Sequence, residues 1–325
     1  MKKLKSVAMH VAATAALALS AAAGAIAQEW PSKPVRMIVP YAPGGAGDIL
    51  ARNVGKKLGE LLGQPILVEN RPGGSGTVGI AEGAKAPADG YTITLVAVPY
   101  VITQFVYPKL PYDGTKDFIP LGLLQLAPLV LVVHPSLNIK TPAEYIQAAK
   151  AKPGQITYAT SGSGSVTHMA GELLKLKTGA DIVPIPYRGG GQSITDVIGG
   201  QVSSAFLSPV EVNQHIKSGA VIAVGTTSLK RPSSAAQIPT FSEAGVLDYD
   251  VSGWFGLVVR SGTPPSVMSK LSSALQRALQ SPEVREKISA TGEVTQGSVE
   301  EFRDLLAREY PRWSHAVKAA HIKVD

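Results

Sequence analysis

The sequence predicts an α/β protein of two domains with a ligand cleft between them. Three observations predict it. Short β-forming runs alternate with amphipathic helical stretches over the whole chain, the pattern of parallel sheets wrapped by helices. Four glycine-rich loops, residues 43–48, 72–77, 160–165 and 187–191, each follow a strand and open a helix, two in each half. Two apolar runs, Leu121–Val133 and Val251–Val259, are placed to carry the chain from one half to the other and back.

The elements follow in order. Lys2, Lys3 and Lys5 precede a small apolar stretch, Val7 to Ala23, and Ala25-Ile26-Ala27 is a cleavage pattern, so residues 1–27 read as a secretory signal peptide cut after Ala27. Residues 28–127 form the first part of domain 1, 128–250 domain 2, and 251–325 the return to domain 1. Strand Val35–Val39 runs into Pro40-Tyr41-Ala42-Pro43-Gly44-Gly45-Ala46-Gly47-Asp48 and a helix reaching Leu62, which Gly63-Gln64-Pro65 ends. Ile66–Glu69 is the second strand, followed by Pro72–Thr77 and a helix through Ala84. Tyr91–Val98 is a third strand rich in β-formers. Thr141-Pro142-Ala143-Glu144 carries an N-cap Thr, a first-turn Pro and a third-position Glu. In the second half come strand Ile156–Ala159, helix Val166–Thr178, strand Ile182–Ile185, helix Ser193–Ile198, and strands Val202–Leu207 and Val221–Thr226. Helices Pro265–Gln280 and Val299–Val317, with a short one from Ser281, close the chain.

Composition narrows the function. At 325 residues and 45% hydrophobic content, two cores are attainable. Loss of the signal leaves 298 residues and lowers the formal charge from +7 to +4. No dense Lys/Arg run with interleaved aromatics occurs, which argues against nucleic acid. With no cysteine, there is no disulfide framework, Cys-based metal site or acylated anchor. The longest later apolar run, Leu121–Val133, falls short of the ~20 residues that span a bilayer. The mature protein is expected to be free in the space outside the cytoplasmic membrane.

The loops carry the chemistry. Glycines let a backbone approach a ligand closely, and helix starts favour anions. Gly74-x-Gly76-x-x-Gly79 matches a dinucleotide fingerprint by spacing, but the acidic residue expected about 20 positions on is absent. Ser161, Ser163 and Ser165 lack the G-x-S-x-G elbow of a nucleophile; they read as ligand donors or helix caps. His168, one turn into its helix, reads as a ligand contact or a structural histidine, and no His/carboxylate cluster suggests a metal. Asp48 either complements its helix start or holds the loop or a water. Arg71, Arg188 and Lys230-Arg231 flank loops as rim charges or ligand contacts. A helix start contributes about 0.3–1 kcal/mol to an anion, up to about 2 when partly buried. Micromolar affinity needs about 8 kcal/mol. Hydrogen bonds to the ionised ligand, about 1.5–3 kcal/mol each, and closure of the cleft would supply the rest.

Trp30-Pro31-x-x-Pro34-Val35-Arg36-x-Ile38-Val39-Pro40-x-x-Pro43-Gly44-Gly45-x-x-Asp48-x-x-Ala51-Arg52 closely resembles the opening of Bug-type receptors, the solute-binding proteins of the tripartite tricarboxylate transporter family. The likeness continues through Glu69-Asn70-Arg71-Pro72-Gly73-Gly74-Ser75-Gly76, Pro87-Ala88-Asp89-Gly90-Tyr91-Thr92, Tyr158-Ala159-Thr160-Ser161-Gly162-Ser163-Gly164-Ser165 with His168, Pro186-Tyr187-Arg188-Gly189-Gly190, and Gly262-Thr263-Pro264. The resemblance implies a periplasmic binding protein fold of type 2. It also implies capture of a small carboxylate and delivery to a permease with one large and one small membrane subunit. Neither a cofactor nor catalysis is implied, and a monomer is expected. The site residues expected are Tyr41, Gly45, Ala46, Gly47 and Asp48; Ser75, Gly76 and Thr77; Pro99 and Tyr100; Ser161, Ser163, Gly164, Ser165 and His168; and Tyr187 and Ser208. Gly45, Ala46 and Gly47 are read as backbone donors, so that a bulky residue at Gly45 abolishes binding.

Two stretches depart from the family pattern. Val96-Ala97-Val98-Pro99-Tyr100-Val101 stands where relatives often carry a small polar run, and Ser204-Ala205-Phe206-Leu207-Ser208 is less polar than usual. Both point to a ligand with an aromatic or otherwise apolar body, or to a monocarboxylate, rather than one as polar as citrate. A secreted hydrolase of carboxylate esters and a receptor signalling to a membrane sensor are the alternatives.

Overall fold

The computed structural model describes residues 29–162, 165–187 and 190–319. The signal peptide and its cleavage site, together with Ser163, Gly164, Arg188 and Gly189, lie outside the described residues.

Two sheets form the two α/β domains. The first holds β1 (Val35–Val39), β2 (Ile66–Asn70), β3 (Thr92–Ala97), β4 (Phe118–Pro128), β10 (Ser252–Arg260) and β11 (Glu293–Val294), in the order β2-β1-β3-β10-β4-β11. The second holds β5 (Val130–Val133), β6 (Ile156–Thr160), β7 (Ile182–Pro186), β8 (Ser204–Leu207) and β9 (Ile222–Thr226), in the order β7-β6-β8-β5-β9. β1 is parallel to β2 and β3, and β6 is parallel to β7 and β8. In each sheet the strand beside the parallel trio is antiparallel to it, and it is the strand that has just crossed from the other sheet: β10 in the first, β5 in the second.

The sequence explains the layers. β3 is buried along its whole length, as a strand covered on both faces must be. Helix α1 (Ala46–Leu62) buries Leu50, Ala51, Val54, Leu58 and Leu62, one face of a 3.6-residue period, and ends where Gly63 turns left-handed at φ 71°. Helix α2 (Thr77–Lys85) follows β2. Helix α4 (Pro142–Ala151) starts with the expected capping box: Thr141 Oγ1 accepts from Glu144 N at 3.2 Å, and Glu144 Oε2 accepts from Thr141 N at 3.2 Å. Helix α5 (Val166–Thr178) follows β6, helix α6 (Gly190–Ile198) follows β7, and α8 (Pro265–Gln280) and α9 (Pro282–Ser289) cover the first sheet.

Three features differ from the sequence reading. The run Leu121–Val133 is two strands, β4 and β5, with a single residue, Leu129, between the sheets. Pro99–Val106 is a helix, α3, and Pro209–Lys217 is another, α7. The final helix, α10 (Val299–Ala319), packs on α3 and β4 of the first domain and also reaches α5 of the second. Among the described residues no helix is long and apolar enough to cross a membrane.

The two crossings are bonded to each other. Thr227 N donates to Leu129 O at 2.9 Å, and Leu129 N donates to Thr227 Oγ1 at 2.9 Å. Val251 N donates to Thr227 O at 2.8 Å, and the Thr227 hydroxyl donates to Val251 O. All three residues are buried.

Candidate functional site

A cavity of about 400 Å³ opens where the loops after the parallel strands meet. Pro40, Tyr41 and Ala42 enter it from the end of β1, and Pro72, Gly73, Ser75 and Gly76 from the end of β2. Pro99, Ile102, Thr103, Val106 and Tyr107 enter from α3 and the residue after it. Ser161 and Ser165, beyond β6, are the second domain's share. A larger groove of about 650 Å³ lies elsewhere, between the far half of α5 and α10. The smaller cavity is the candidate site, because the glycine-rich loops and the starts of α2, α3 and α5 converge on it.

The first loop is held from behind. Asp48, buried in the first turn of α1, accepts from Gly44 N at 2.9 Å, Arg52 Nε at 3.1 Å and Asn70 Nδ2 at 2.9 Å. Asn70 Nδ2 also donates to Tyr41 O at 3.1 Å, which ties the loop to β2. The Arg52 guanidinium leads in holding the Asp48 carboxyl down to about 2, and the Gly44 and Asn70 donors add to it. Gly47 gives Tyr41 its place: a Cβ there would stand 2.9 Å from the Tyr41 ring. At Gly45 the nearest atom to such a Cβ is Ala42 O, at 3.4 Å. A Cβ at Gly45 is therefore accommodated in the folded protein. None of Gly45, Ala46, Gly47 and Asp48 lines the cavity: Gly45 and Ala46 are exposed, and Gly47 and Asp48 are buried beneath the loop. Tyr41 lines the cavity, and its hydroxyl is buried with no hydrogen-bond partner among the described residues. Burial raises its pKa, so it stays a neutral donor.

The second loop is left-handed over four consecutive residues: Gly73 at φ 135°, Gly74 at 53°, Ser75 at 56° and Gly76 at 95°. Only Ser75 pays a steric cost there, of order 1–2 kcal/mol. Gly79 brings α2 against the first loop, since a Cβ on it would lie 2.8 Å from Pro40 Cβ and from Arg71 O. Thr77 begins α2 and packs over Gly74 behind the lining.

Helix α3 was not expected from the sequence and forms the longest stretch of wall. Pro99, Ile102, Thr103 and Val106 recur at i, i+3, i+4 and i+7, which is one helix face. Tyr100 lies on another face, fully buried, its hydroxyl donating to Gly114 O, so the structure seats it in the core. Val96, Ala97 and Val98 are likewise buried outside the lining. Of that departing stretch Pro99 lines the cavity, and Ile102 and Val106, further along the chain, add carbon to the same wall.

In the second domain, Ser165 is the N-cap of α5: Oγ accepts from His168 N at 3.2 Å and donates to Gly162 O at 2.7 Å. The Ser161 hydroxyl meets Thr167 Oγ1 at 3.4 Å. His168 stands outside the lining, with Nε2 3.9 Å from Glu172 Oε1, and burial lowers its pKa. Tyr187 donates to Asp196 Oδ2 at 2.9 Å, and Ser208 starts α7 in a capping box with Glu211. Ser204–Leu207 is strand interior.

No charged side chain lines the cavity among the described residues. Arg71 is bound to Glu69 at 3.1 Å and Glu82 at 3.0 Å beside the second loop, and Arg231 is paired with Glu243 at 2.7 Å along a separate groove. An anion in the cavity would meet backbone N–H groups, hydroxyls and helix starts.

Two α/β lobes, each completed by a strand of the other, with a cavity lined from both, define a bilobal solute-binding protein. A model described as "Tripartite tricarboxylate transporter family receptor" matches residues 50–322. The chain belongs to that family of receptors. It is 35% identical over 306 residues to Protein BugT of Bordetella pertussis, covering 93% of this chain and 94% of BugT. Among solved structures, Rpa4515 of R. palustris with adipate superposes with a TM-score of 0.74 at 30% identity, covering 91% of this chain and all of the other. MatC of Rhodopseudomonas palustris with bound malate gives 0.71 at 29% identity, covering 89% of this chain and all of the other.

Proposed function

We propose that this chain is a periplasmic receptor that captures a small carboxylate between its domains and delivers it to the large and small membrane subunits of a tripartite transporter. The observation that carries this reading is the uncharged cavity, built from glycine loops, helix starts and hydroxyls of both domains. Such a lining offers a carboxylate several charge-assisted hydrogen bonds at about 1.5–3 kcal/mol each. Solved relatives that hold adipate and malate support it.

The domain limits proposed are 28–127, 128–250 and 251–325, with β4 handing over to β5 at Leu129 and Val251 leading into β10. Of the fourteen described lining residues, Ser161 and Ser165 come from the second domain. Closure is proposed to bring Tyr187, His168 and Ser208 toward the ligand, together with Ser163 and Gly164. The receptor acts as a monomer, binds without turnover, and reaches the periplasm by cleavage after Ala27. Native mass spectrometry of the purified protein, followed by thermal shift with a carboxylate panel, tests the reading. A co-purified carboxylate that raises the melting temperature and is recovered unchanged is expected. Stabilisation by no carboxylate, or conversion of the bound acid, would overturn it.

A further inference from the structure

We propose that the cavity face of α3 selects the body of the ligand, and that the ligand is a monocarboxylate bearing an aryl or alkyl group. This rests on the reading of the cavity as a carboxylate site. Ile102 and Val106 stand on one face of α3, and Thr103 between them has its hydroxyl committed to Pro99 O at 2.7 Å. The helix therefore offers mostly carbon to the cavity. The polar groups of the lining are neutral: backbone and the hydroxyls of Ser75, Ser161, Tyr41 and Tyr107. One carboxylate finds donors at the loops after β2 and β6, where Ser75 and Ser161 stand. A second one beside α3 would be buried against Ile102 and Val106 with no cation among the described lining residues, a costly placement. An apolar body in the same place gains from burial instead.

Tyr107 sets the length of that body. It is the one described residue that lines both this cavity and a neighbouring one of about 360 Å³, bordered by Gln104, Leu110, Tyr112 and Tyr310. It follows the last turn of α3 with extended backbone, φ −88° and ψ 129°, ahead of Pro108. Shared by both linings, Tyr107 stands between the two spaces, and its ring is assigned as their partition. Removing it joins them and admits a longer chain.

Calorimetry on the full mature protein tests this with benzoate, 3-phenylpropanoate, 5-phenylpentanoate, hexanoate, succinate and citrate. The best apolar monocarboxylate is expected to bind at least about tenfold more tightly than succinate or citrate. Val106→Thr, nearly isosteric, and Ile102→Asn are expected to reduce that ratio at least about fivefold, and Ile102→Val to keep it. Tyr107→Ala is expected to favour 5-phenylpentanoate over 3-phenylpropanoate relative to the wild type. Circular dichroism melts establish that each variant is folded, and Val106→Thr carries the test if Ile102→Asn is not. Tighter binding of succinate or citrate than of every apolar acid overturns the inference and leaves the carboxylate receptor standing. So does an unchanged ratio in folded Val106→Thr. Binding of none of the six acids, with a co-purified ligand that is not a carboxylate, overturns both.

Discussion

A methyl group on Gly47 would stand 2.9 Å from the Tyr41 ring, 3.1 Å from Phe255 and 3.2 Å from Leu95. Phe255 meets Tyr41 edge-on at 6.3 Å between centroids, so the ring that lines the cavity is wedged between β10 and the start of α1. Gly47→Ala is therefore expected to cost about 1–3 kcal/mol by overpacking and to weaken ligand binding by displacing Tyr41. Gly45→Ala should do neither. Urea denaturation and calorimetry on the two variants check the contrast. Asp48 acts through charge at the same loop. Its folded pKa, about 2, lies below its ordinary 3.8. Its contribution is thus complete above about pH 4 and is lost as the pH falls through about 2. The half-exposed Arg52 side chain limits the size of that contribution. Asp48→Asn should flatten the acid limb of a stability–pH curve between those values and lower stability at pH 7, measured by urea midpoints.

At the scale of elements, α10 and α3 decide what surrounds the cavity. Glu309 of α10 is completely buried, and its Oε2 accepts from Trp254 Nε1 of β10 at 2.9 Å and from Trp313 Nε1 at 2.6 Å. Its other oxygen pairs with Arg312, a largely buried cation that also donates to Asp250 O. Glu309→Gln keeps the shape and removes one of the two carboxylates beside Arg312, the other being Asp250 Oδ2 at 3.9 Å. A loss of about 3–5 kcal/mol is expected, with an altered tryptophan emission, read by fluorescence-monitored urea unfolding. α10 also packs on α3, and α3 marks the limit of what the sequence discloses. The glycine loops were legible because Pro-Gly punctuation has a local cause, and α5 was legible because its apolar period is regular. Val98-Pro99-Tyr100-Val101-Ile102-Thr103 is β-branched and aromatic, the composition of a strand. Tertiary packing against α10 overrides that preference, and Pro99 at the first turn needs no N–H there. Once the segment is helical, its phase turns Tyr100 into the core and Ile102 and Val106 toward the cavity. No local signal in the sequence could assign that phase.

For the molecule as a whole, the exchange of strands puts the Leu129–Thr227–Val251 knot at both crossings, and the proposed closure is expected to pivot there. Both sheets set a parallel trio beside two antiparallel strands, the first adding β11 at its edge, and in each the strand next to the trio arrives across this point. The Thr227 hydroxyl accepts from Leu129 N and donates to Val251 O, while its own N–H and C=O bond the same two residues. Thr227→Val removes the hydroxyl and leaves the backbone pair intact. The orphaned Leu129 N–H is buried, so a loss of about 1–3 kcal/mol is expected. If closure pivots at the knot, the looser crossing should also exchange amide hydrogens faster at Leu129 and Val251, while β3 at the centre of the first sheet keeps its protection. Ligand should then slow exchange at the loops after β1, β2 and β6 in both proteins, because those contacts lie in the cavity and not at the crossing. Hydrogen-exchange mass spectrometry of wild type and Thr227→Val, with and without ligand, reads all of this at once. Faster exchange in β3 to the same extent as at Leu129 would mean that the variant loosens the domain globally, and the pivot would have to be sought elsewhere.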